Sequence, residues 1–434
     1  MEEKVRKASQ ILLGCICLAF ILAQPVQAEP RWIEETLSTN LSYIMRDNER
    51  DVIYLADAEK QELVLLDTMT EEIIERLSIP SSNFADMAMS KDNKTLAIGG
   101  GSVVLVDVET LDIKELSIAE DVVSVAFDYK GNLYFTTTEY WGKIHYYDLA
   151  TETVMHSFAA HNSIYKNALV KTDKEGKILY AAERGLSPAS LYKFDVSGEE
   201  PIFRAEDAHG ALGGNLRDFA ISPDGKKIYI ACGAPYGIQV VDSESIERIA
   251  LLETGAYPGG VDLDKYGIYV YGIPLSTYNN ILYQFKTADL SLTNSFPLLK
   301  HTYNGAPGVR GIAVDKTGEK AFIIHGDSHP SYLTFKVQVV DTEVNICEEA
   351  IALLEEEIAT LKAKVTELEE LIANILSQNE QLTNENSSLR QDISNMAQTI
   401  ADLREENATV KAELDALKAK IKNLPAGVYK KYFD

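Results

Sequence analysis

The sequence predicts a seven-bladed, all-β propeller followed by a long α-helical coiled coil. A strand-rich unit recurs about every 40–50 residues between positions 31 and 344, which is the period of propeller blades. The composition changes near Val344, after which Gly, Pro and aromatic residues are absent until Pro425. Across this second region, apolar residues alternate at spacings of four and three as far as Leu424, which is the heptad pattern of a coiled coil.

Seven copies of the repeat each contain a polar turn, an apolar strand, a loop and a second apolar strand. The turn-and-strand pieces are "RDVIYLAD", "NKTLAIGG", "GNLYFTTT", "GKILYAAE", "GKKIYIAC", "YGIYVYGI" and "GEKAFIIH". One small antiparallel sheet cannot bury both of its faces. Radial stacking of seven such sheets buries them, so the repeat predicts a propeller over residues 31–344.

The copy that begins at Ser222, "SPDGKKIYIA…IQVVDSES", resembles the repeat of YVTN-type propellers, which reads roughly S-P-D-G-x-x-L-Y-V-A-N…V-x-V-I-D-T. The resemblance implies the propeller fold and leaves the function open, because propellers host many activities. Some related propellers are lactonases or electron-transfer subunits. An exported propeller enzyme or metalloprotein is therefore the alternative function.

The last blade lacks an outer strand, because the coil begins directly after its third strand, "FKVQVVDTEV". The segment 31–40 precedes the first inner strand and resembles the outer strands of other blades. We expect it to pair with the last blade and close the ring, which leaves no open sheet edge there. Trp32 would then pack between blades one and seven.

Residues 1–28 have the features of a signal peptide: basic residues at Lys4, Arg6 and Lys7, a short apolar core, and a small-x-small site ending at Ala28. The mature chain is therefore expected to be secreted to the cell surface, the extracellular space or the periplasm, without a transmembrane segment. Its formal net charge of −25 argues against nucleic acid as a partner.

The candidate ligand-binding face carries the loops between second and third strands and the connections between blades. These are longer and richer in His and Tyr than the short polar turns of the other face. The beginnings of inner strands, including Asp86, should lie close to the mouth of the central channel on this face. The candidate binding residues are Tyr140, Trp141, His161, Lys166, His209, Arg217, Asp218, His301, Arg310, His325 and His329.

We expect neither a metal nor a cofactor, although His325 and His329 flank Asp327 in the segment "HGDSHPSY", which we assign to a loop. An H-x-D-x-H spacing is not specific for metal binding. The sequence contains no G-x-S-x-G, P-loop or H-E-x-x-H motif. It therefore favours a binding protein over an enzyme.

The coiled coil should span residues 346–424, with a tail at 425–434. β-Branched residues dominate the a positions and Leu the d positions, which favours a parallel homodimer. Leu371 and Leu376 at g and e keep a trimer as the alternative. The residues assigned to oligomerisation are Cys347, Ile351, Leu354, Asn379, Asn386 and Asn407.

These features together predict an exported, non-enzymatic binding or scaffold protein. Its propeller head would be displayed on a coiled-coil stalk and would bind a protein or glycan in cell-surface or envelope interactions.

Overall fold

In a computed structural model of the chain, the described residues are 29–33, 41–80, 84–118, 120–207, 211–274, 280–299, 306–329, 332–342 and 346–423. The predicted signal peptide and the tail lie outside these ranges. The chain divides into two units, Met1–Ile351 and Ala352–Asp434. Among the described helices, none is long and apolar enough to cross a bilayer.

Seven four-stranded antiparallel sheets form the propeller, which confirms the predicted seven-bladed architecture. Blade one consists of β2 (Leu41–Arg46), β3 (Val52–Asp57), β4 (Glu62–Asp67) and β5 (Ile73–Ser78). Blade two consists of β6 (Asp86–Met89), β7 (Thr95–Gly99), β8 (Val103–Asp107) and β9 (Ile113–Leu116). Blade three consists of β10 (Val122–Phe127), β11 (Leu133–Thr137), β13 (Ile144–Asp148) and β14 (Thr153–Phe158). Blade four consists of β16 (Leu169–Thr172), β17 (Ile178–Ala182), β18 (Leu191–Asp195) and β19 (Ile202–Glu206). Blade five consists of β20 (Gly214–Ile221), β21 (Lys227–Ala234), β22 (Tyr236–Asp242) and β23 (Arg248–Leu252). Blade six consists of β24 (Pro258–Leu263), β25 (Tyr269–Pro274), β26 (Ile281–Lys286) and β27 (Leu292–Pro297).

Blade seven draws strands from both ends of the propeller sequence. It contains β28 (Ala306–Val314), β29 (Lys320–His329), β30 (Tyr332–Asp341) and β1 (Arg31–Trp32). Strand β1 pairs antiparallel with β30, with Arg31 opposite Val339 and Trp32 opposite Gln338. The N-terminal segment thus supplies the outer strand at these positions; residues 34–40 of the predicted closing segment lie outside the described ranges.

The apolar core consists of seven clusters, each between two neighbouring blades. The cluster between blades seven and one includes Ile33 beside β1, Ile53 of β3 and Phe322 of β29. The strands closer to the central channel are therefore apolar on both faces, because each face of a blade packs against a different neighbouring blade. This packing surrounds a central channel with the inner strand of every blade.

The short turns explain the polar residues that recur in the repeat. In blade five, Ser222 Oγ donates to Asp224 at 2.6 Å and accepts from the Lys227 amide at 2.9 Å. Gly225 has φ of +70°, a conformation that glycine adopts without steric cost. Where third strands end, Asp242 accepts amide N–H groups from Glu244 and Ser245. These residues build turns rather than a functional site.

Two further elements lie outside the blades. A two-stranded ribbon joins β12 (Trp141–Gly142) to β15 (Ile164–Tyr165) on the connection between blades three and four. Helix α1 (Ile346–Lys422) is a single helix of 77 residues. Lys420 and Lys422 lie in its last turn, where positive charge is favoured by the helix dipole.

Candidate functional site

A cavity of about 310 Å³ occupies the central channel of the propeller. Inner strands of all seven blades line it. Its charged lining residues are Arg46, Asp86, Lys91, Lys171, Asp218, Asp262, Asp264 and Arg310. Four cations and four carboxylates thus meet in an otherwise apolar interior, and buried charges require such pairing.

Arg310 of β28 lies at the centre of this network. Its Nη2 donates to Asp86 Oδ1 at 2.5 Å, and its Nε lies 3.5 Å from Asp218 Oδ1. The guanidinium also lies over the Tyr43 ring, 4.1 Å from the ring centroid, in a cation–π contact. The side chain is 2% exposed. Arg310 therefore connects blade seven with blades one, two and five across the channel.

The two carboxylates that hold Arg310 are themselves tied to other blades. Asp86 accepts from the Ser124 hydroxyl and from the Val125 amide, at 3.2 Å from the amide nitrogen. Asp218 accepts from the Val261 amide at 3.2 Å and pairs with Lys171 Nζ at 3.2 Å. The network consequently reaches every blade of the ring.

A second ion pair lies nearer the end of the channel that carries the short turns. Arg46 Nη1 of β2 donates to Asp262 Oδ2 at 3.0 Å and to the Val314 carbonyl at 3.2 Å. Burial raises the pKa of Asp262 despite the opposing effect of Arg46. Burial also raises the pKa of Asp264, which directly follows the end of β24.

Charge pairing keeps the central arginine ionised. Burial by itself would lower the pKa of the Arg310 guanidinium, but the charges of Asp86 and Asp218 outweigh it and the pKa is raised. The pKa of Lys171 is raised for a similar reason: burial opposes ionisation, and the charge of Asp218 more than compensates. Both cations are therefore charged at physiological pH.

The cavity extends toward the face opposite to the one for which the sequence predicts ligand binding. Asn48, Lys91 and Pro223 line it, and each lies in a turn that follows an inner strand. The Arg310 network lies at the other end of the channel, close to the beginnings of the inner strands. The candidate cavity and the His- and Tyr-bearing loops are thus associated with opposite faces of the propeller.

On the predicted face, exposed aromatic rings cluster around the β12–β15 ribbon. Tyr140 and Trp141 are 55% and 57% exposed, and their ring centroids lie 5.8 Å apart. Tyr165 contacts both rings, at 5.3 and 5.5 Å. Lys166 Nζ lies 4.9 Å from the centroid of the Tyr140 ring. We call these four residues the aromatic ribbon cluster.

The structure separates the remaining predicted residues. Arg217 is half-buried, one residue after Leu216 in the irregular part of β20, and the next residue, Asp218, is buried in the channel. His161 is exposed and its Nε2 lies 2.8 Å from Glu206 Oε2. His209 and His301 lie outside the described ranges.

The segment containing His325 and His329 is not a loop, as the sequence predicted, but the end of β29. His325 is fully buried and contacts Trp32 edge-on, with ring centroids 5.5 Å apart. Strands β29 and β30 pair as far as His329 and Tyr332. The sequence missed this extension because "HGDS" contains residues that are usual in turns. Among the described residues, no group of three His, Cys, Asp or Glu side chains is arranged to hold a metal ion.

Several channel residues were not predicted from the sequence: Tyr43, Arg46, Lys91, Lys171 and Asp262. For all of these except Lys91, which lies in a turn, the available signal was a polar residue within an apolar inner strand, as in "SYIMRD" and "GVDLD". In a propeller such a residue points to the channel, because the neighbouring positions of the inner strand pack between blades.

Comparison with known proteins supports the fold and no finer assignment. No family model matches the chain, and no curated protein matches it. A chain of the solved Kuenenia stuttgartiensis hydrazine synthase has a similar structure, with a TM-score of 0.53 and 15% sequence identity. The alignment covers 74% of this chain and 99% of that chain. At this identity the likeness shows the propeller fold alone.

Proposed function

We propose that this chain is an exported, non-enzymatic binding protein whose propeller head is joined to a coiled-coil stalk made with a second copy of the chain. The observation that carries the proposal is the apolar seam of α1. The described large a and d side chains between Ile351 and Leu417 are between 48% and 62% exposed on the single helix. A seam of this length in water requires a partner helix, since each buried Leu or Ile contributes about 1.5–3 kcal/mol.

A second copy of the same chain fits the seam best. Asn379, Asn386 and Asn407 at a positions each meet their own copy when two helices are parallel and in register. The flanking g and e residues five positions apart are of opposite charge: Glu357 and Lys362, Lys364 and Glu369, Glu385 and Arg390, Glu406 and Lys411, Glu413 and Lys418. Each exposed pair contributes only about 0.2–1 kcal/mol, so the pairs specify the partner more than they stabilise the stalk.

The aromatic ribbon cluster is the surface that we assign to ligand contact on the head. Exposed Trp and Tyr side chains bring large apolar rings and polar atoms to an interface at small entropic cost. A protein or glycan bound there would engage two heads of one dimer, and the gain in effective concentration strengthens weak contacts. Export rests on the sequence features of residues 1–28.

The oligomeric state tests the proposal on the full chain. Sedimentation equilibrium should give a dimer, and Leu368→Lys combined with Ile372→Lys should give a monomer, because both lysines fall on the seam. The matched control is Thr366→Lys with Ala373→Lys, which adds the same charges at b positions and should remain dimeric. A monomeric wild-type chain would refute the stalk, and a trimer would refute the dimeric form of it.

A further inference from the structure

Lys91 differs from the other cations of the channel in what holds it. Arg46, Lys171 and Arg310 each pair with a carboxylate, at 3.0, 3.2 and 2.5 Å. Lys91 Nζ instead donates to Thr172 Oγ1 and to the Asp173 carbonyl oxygen, both at 2.7 Å. An ammonium has three N–H donors, so these neutral oxygens leave one donor for another acceptor.

The position of Lys91 fixes its ammonium at the mouth of the cavity. Lys91 follows β6 in the first turn of blade two, and its side chain reaches the inner strand of blade four. Its Cε lies 3.0 Å from where a Cβ on Gly176 would stand, so the stem is closely packed. The ammonium is therefore held at one place rather than moving freely in solvent.

The surroundings of Lys91 disfavour its charge. The side chain is exposed at the mouth, and its contacts with Thr172 and Asp173 cover part of it. This loss of hydration lowers its pKa to about 8, although Asp173 and Asp128 act in the opposite direction. An anion in the cavity would replace the missing counterion.

Most of the other cations near this end of the channel are already paired with carboxylates. Arg46 pairs with Asp262, which is 24% exposed, and Lys171 pairs with Asp218, which is 6% exposed. The equivalent turn position is also lysine in three more blades: Lys174, Lys265 and Lys316. Lys265 and Lys316 pair with Glu49 and Asp51, so among the described residues Lys91 is the cation of the cavity lining that contacts no carboxylate.

We propose that the channel mouth binds a small oxyanion, a carboxylate or phosphate group, with Lys91 as its charged anchor. The cavity of about 310 Å³ accommodates a small molecule rather than a polymer. The site lies in the propeller alone, so this proposal does not depend on the coiled-coil stalk, and a monomeric chain would leave it intact.

Titration calorimetry of the full chain with succinate and with inorganic phosphate tests the site. We expect saturable binding of at least one of the two anions at neutral pH. Lys91→Met should weaken that binding about tenfold or more, because a charge-assisted hydrogen bond is lost. Lys94→Met removes the same charge from an exposed position of the same turn and should leave the affinity unchanged.

The thermal midpoint without ligand shows whether each variant is folded. Met is similar in length to Lys but loses the hydrogen bonds to Thr172 and Asp173, so Lys91→Met should unfold somewhat below the wild-type temperature and still show one cooperative transition. Absence of binding of both anions by the wild-type chain would overturn the proposal. Equal affinity of the wild type and a folded Lys91→Met variant would overturn it as well.

Discussion

Arg310 lies in the interior of the propeller with φ of +55°, a conformation that residues other than glycine seldom adopt. Such a backbone costs on the order of 1–3 kcal/mol and persists only where the surroundings enforce it. Here the guanidinium meets Asp86, Asp218 and the Tyr43 ring. The backbone conformation is therefore tied to the ion pairs that cross the channel.

Replacing Arg310 by Met should destabilise the propeller by about 3–5 kcal/mol, because it leaves Asp86 buried without its cation and removes one of the two cations beside Asp218. Chemical denaturation followed by circular dichroism measures the free energy of unfolding. Arg204→Met is the control: Arg204 pairs with Asp195 at the surface, and its loss should cost about 1 kcal/mol or less. Equal losses for the two variants would contradict the role of the channel network.

The sequence predicted part of this network. The register of the repeat placed Asp86, Asp218 and Arg310 at the beginnings of inner strands, and the structure brings these three together. It did not predict Lys171 or Lys91. A repeat pattern assigns a residue to one end of one blade, but the length and direction of a side chain decide which blade across the channel it reaches.

At the level of elements, the two residues of β1 join the start of the propeller to its last blade. Arg31 pairs with Asp341 at 2.6 Å and with Glu71 of blade one. Trp32 contacts His325 on β29. Ile33 adds to the cluster between blades seven and one. This short segment thus combines strand pairing, ion pairs and apolar packing at the point where the ring closes.

Trp32→Ala should lower the free energy of unfolding by about 2 kcal/mol, less than for a fully buried tryptophan because the side chain is half-buried. The chain has two tryptophans, and Trp141 supplies the control. Trp141 is 57% exposed, so Trp141→Ala should change stability by about 0.5 kcal/mol or less. Denaturant titration distinguishes them; a smaller loss for Trp32→Ala than for Trp141→Ala would contradict a closing role.

The turns after third strands make stability depend on acid. Hydrogen bonds from Ser197 and Arg204 lower the pKa of Asp195 to about 2, and backbone amides at the equivalent turns lower the pKa of Asp67, Asp107 and Asp242. The folded pKa lies below the unfolded value near 3.8, so this stabilisation is present above about pH 4. It is lost as the pH falls toward 2.

Urea titrations between pH 6 and pH 2 should therefore show a progressive fall in the unfolding free energy below about pH 4. Asp195→Asn should be less stable than the wild type at pH 6, and the difference should shrink as the pH falls. At pH 6 the difference in unfolding free energy between Asp195→Asn and the wild type measures the loss of the turn's hydrogen bonds to the carboxylate. Its change with pH measures the titration of Asp195. A difference that stays constant down to pH 2 would contradict the contribution of Asp195.

Element boundaries were predicted less completely than the number of blades. The seven-fold repeat reports which residues pack between blades, and that packing is what the structure confirms. The β12–β15 ribbon and the extension of β29 through His329 were not predicted. Both lie where blades connect or strands protrude, so their residues do not follow the burial pattern of the repeat.

At the scale of the whole molecule, two different periodicities meet near residue 345. Before residue 345, apolar residues pack between the blades of a closed ring, so the faces of each blade are covered by the neighbouring blades. After it, the helix leaves its large apolar side chains about half exposed. The faces of the blades are buried within the first unit, whereas the apolar side chains of the second are not, so under the proposed function we expect assembly of the chain to depend on α1.

Cys347 gives a covalent test of that assembly. The heptad places it at the first d position, where it faces its own copy if the helices are parallel and in register. In an oxidising compartment we expect an interchain disulfide. After thiols are blocked before lysis, a non-reducing gel should show a dimer of the mature chain that reductant converts to a monomer.

The other cysteine of the predicted mature chain is the control. Cys232 is fully buried in β21, and burial raises the pKa of its thiol to about 12, so it is a poor nucleophile. Cys232→Ser should retain the disulfide-linked dimer, and Cys347→Ser should abolish it while sedimentation still gives a non-covalent dimer. A monomer band for the blocked wild-type protein contradicts the disulfide. An antiparallel stalk would give that same band, because it would place the two Cys347 residues at opposite ends.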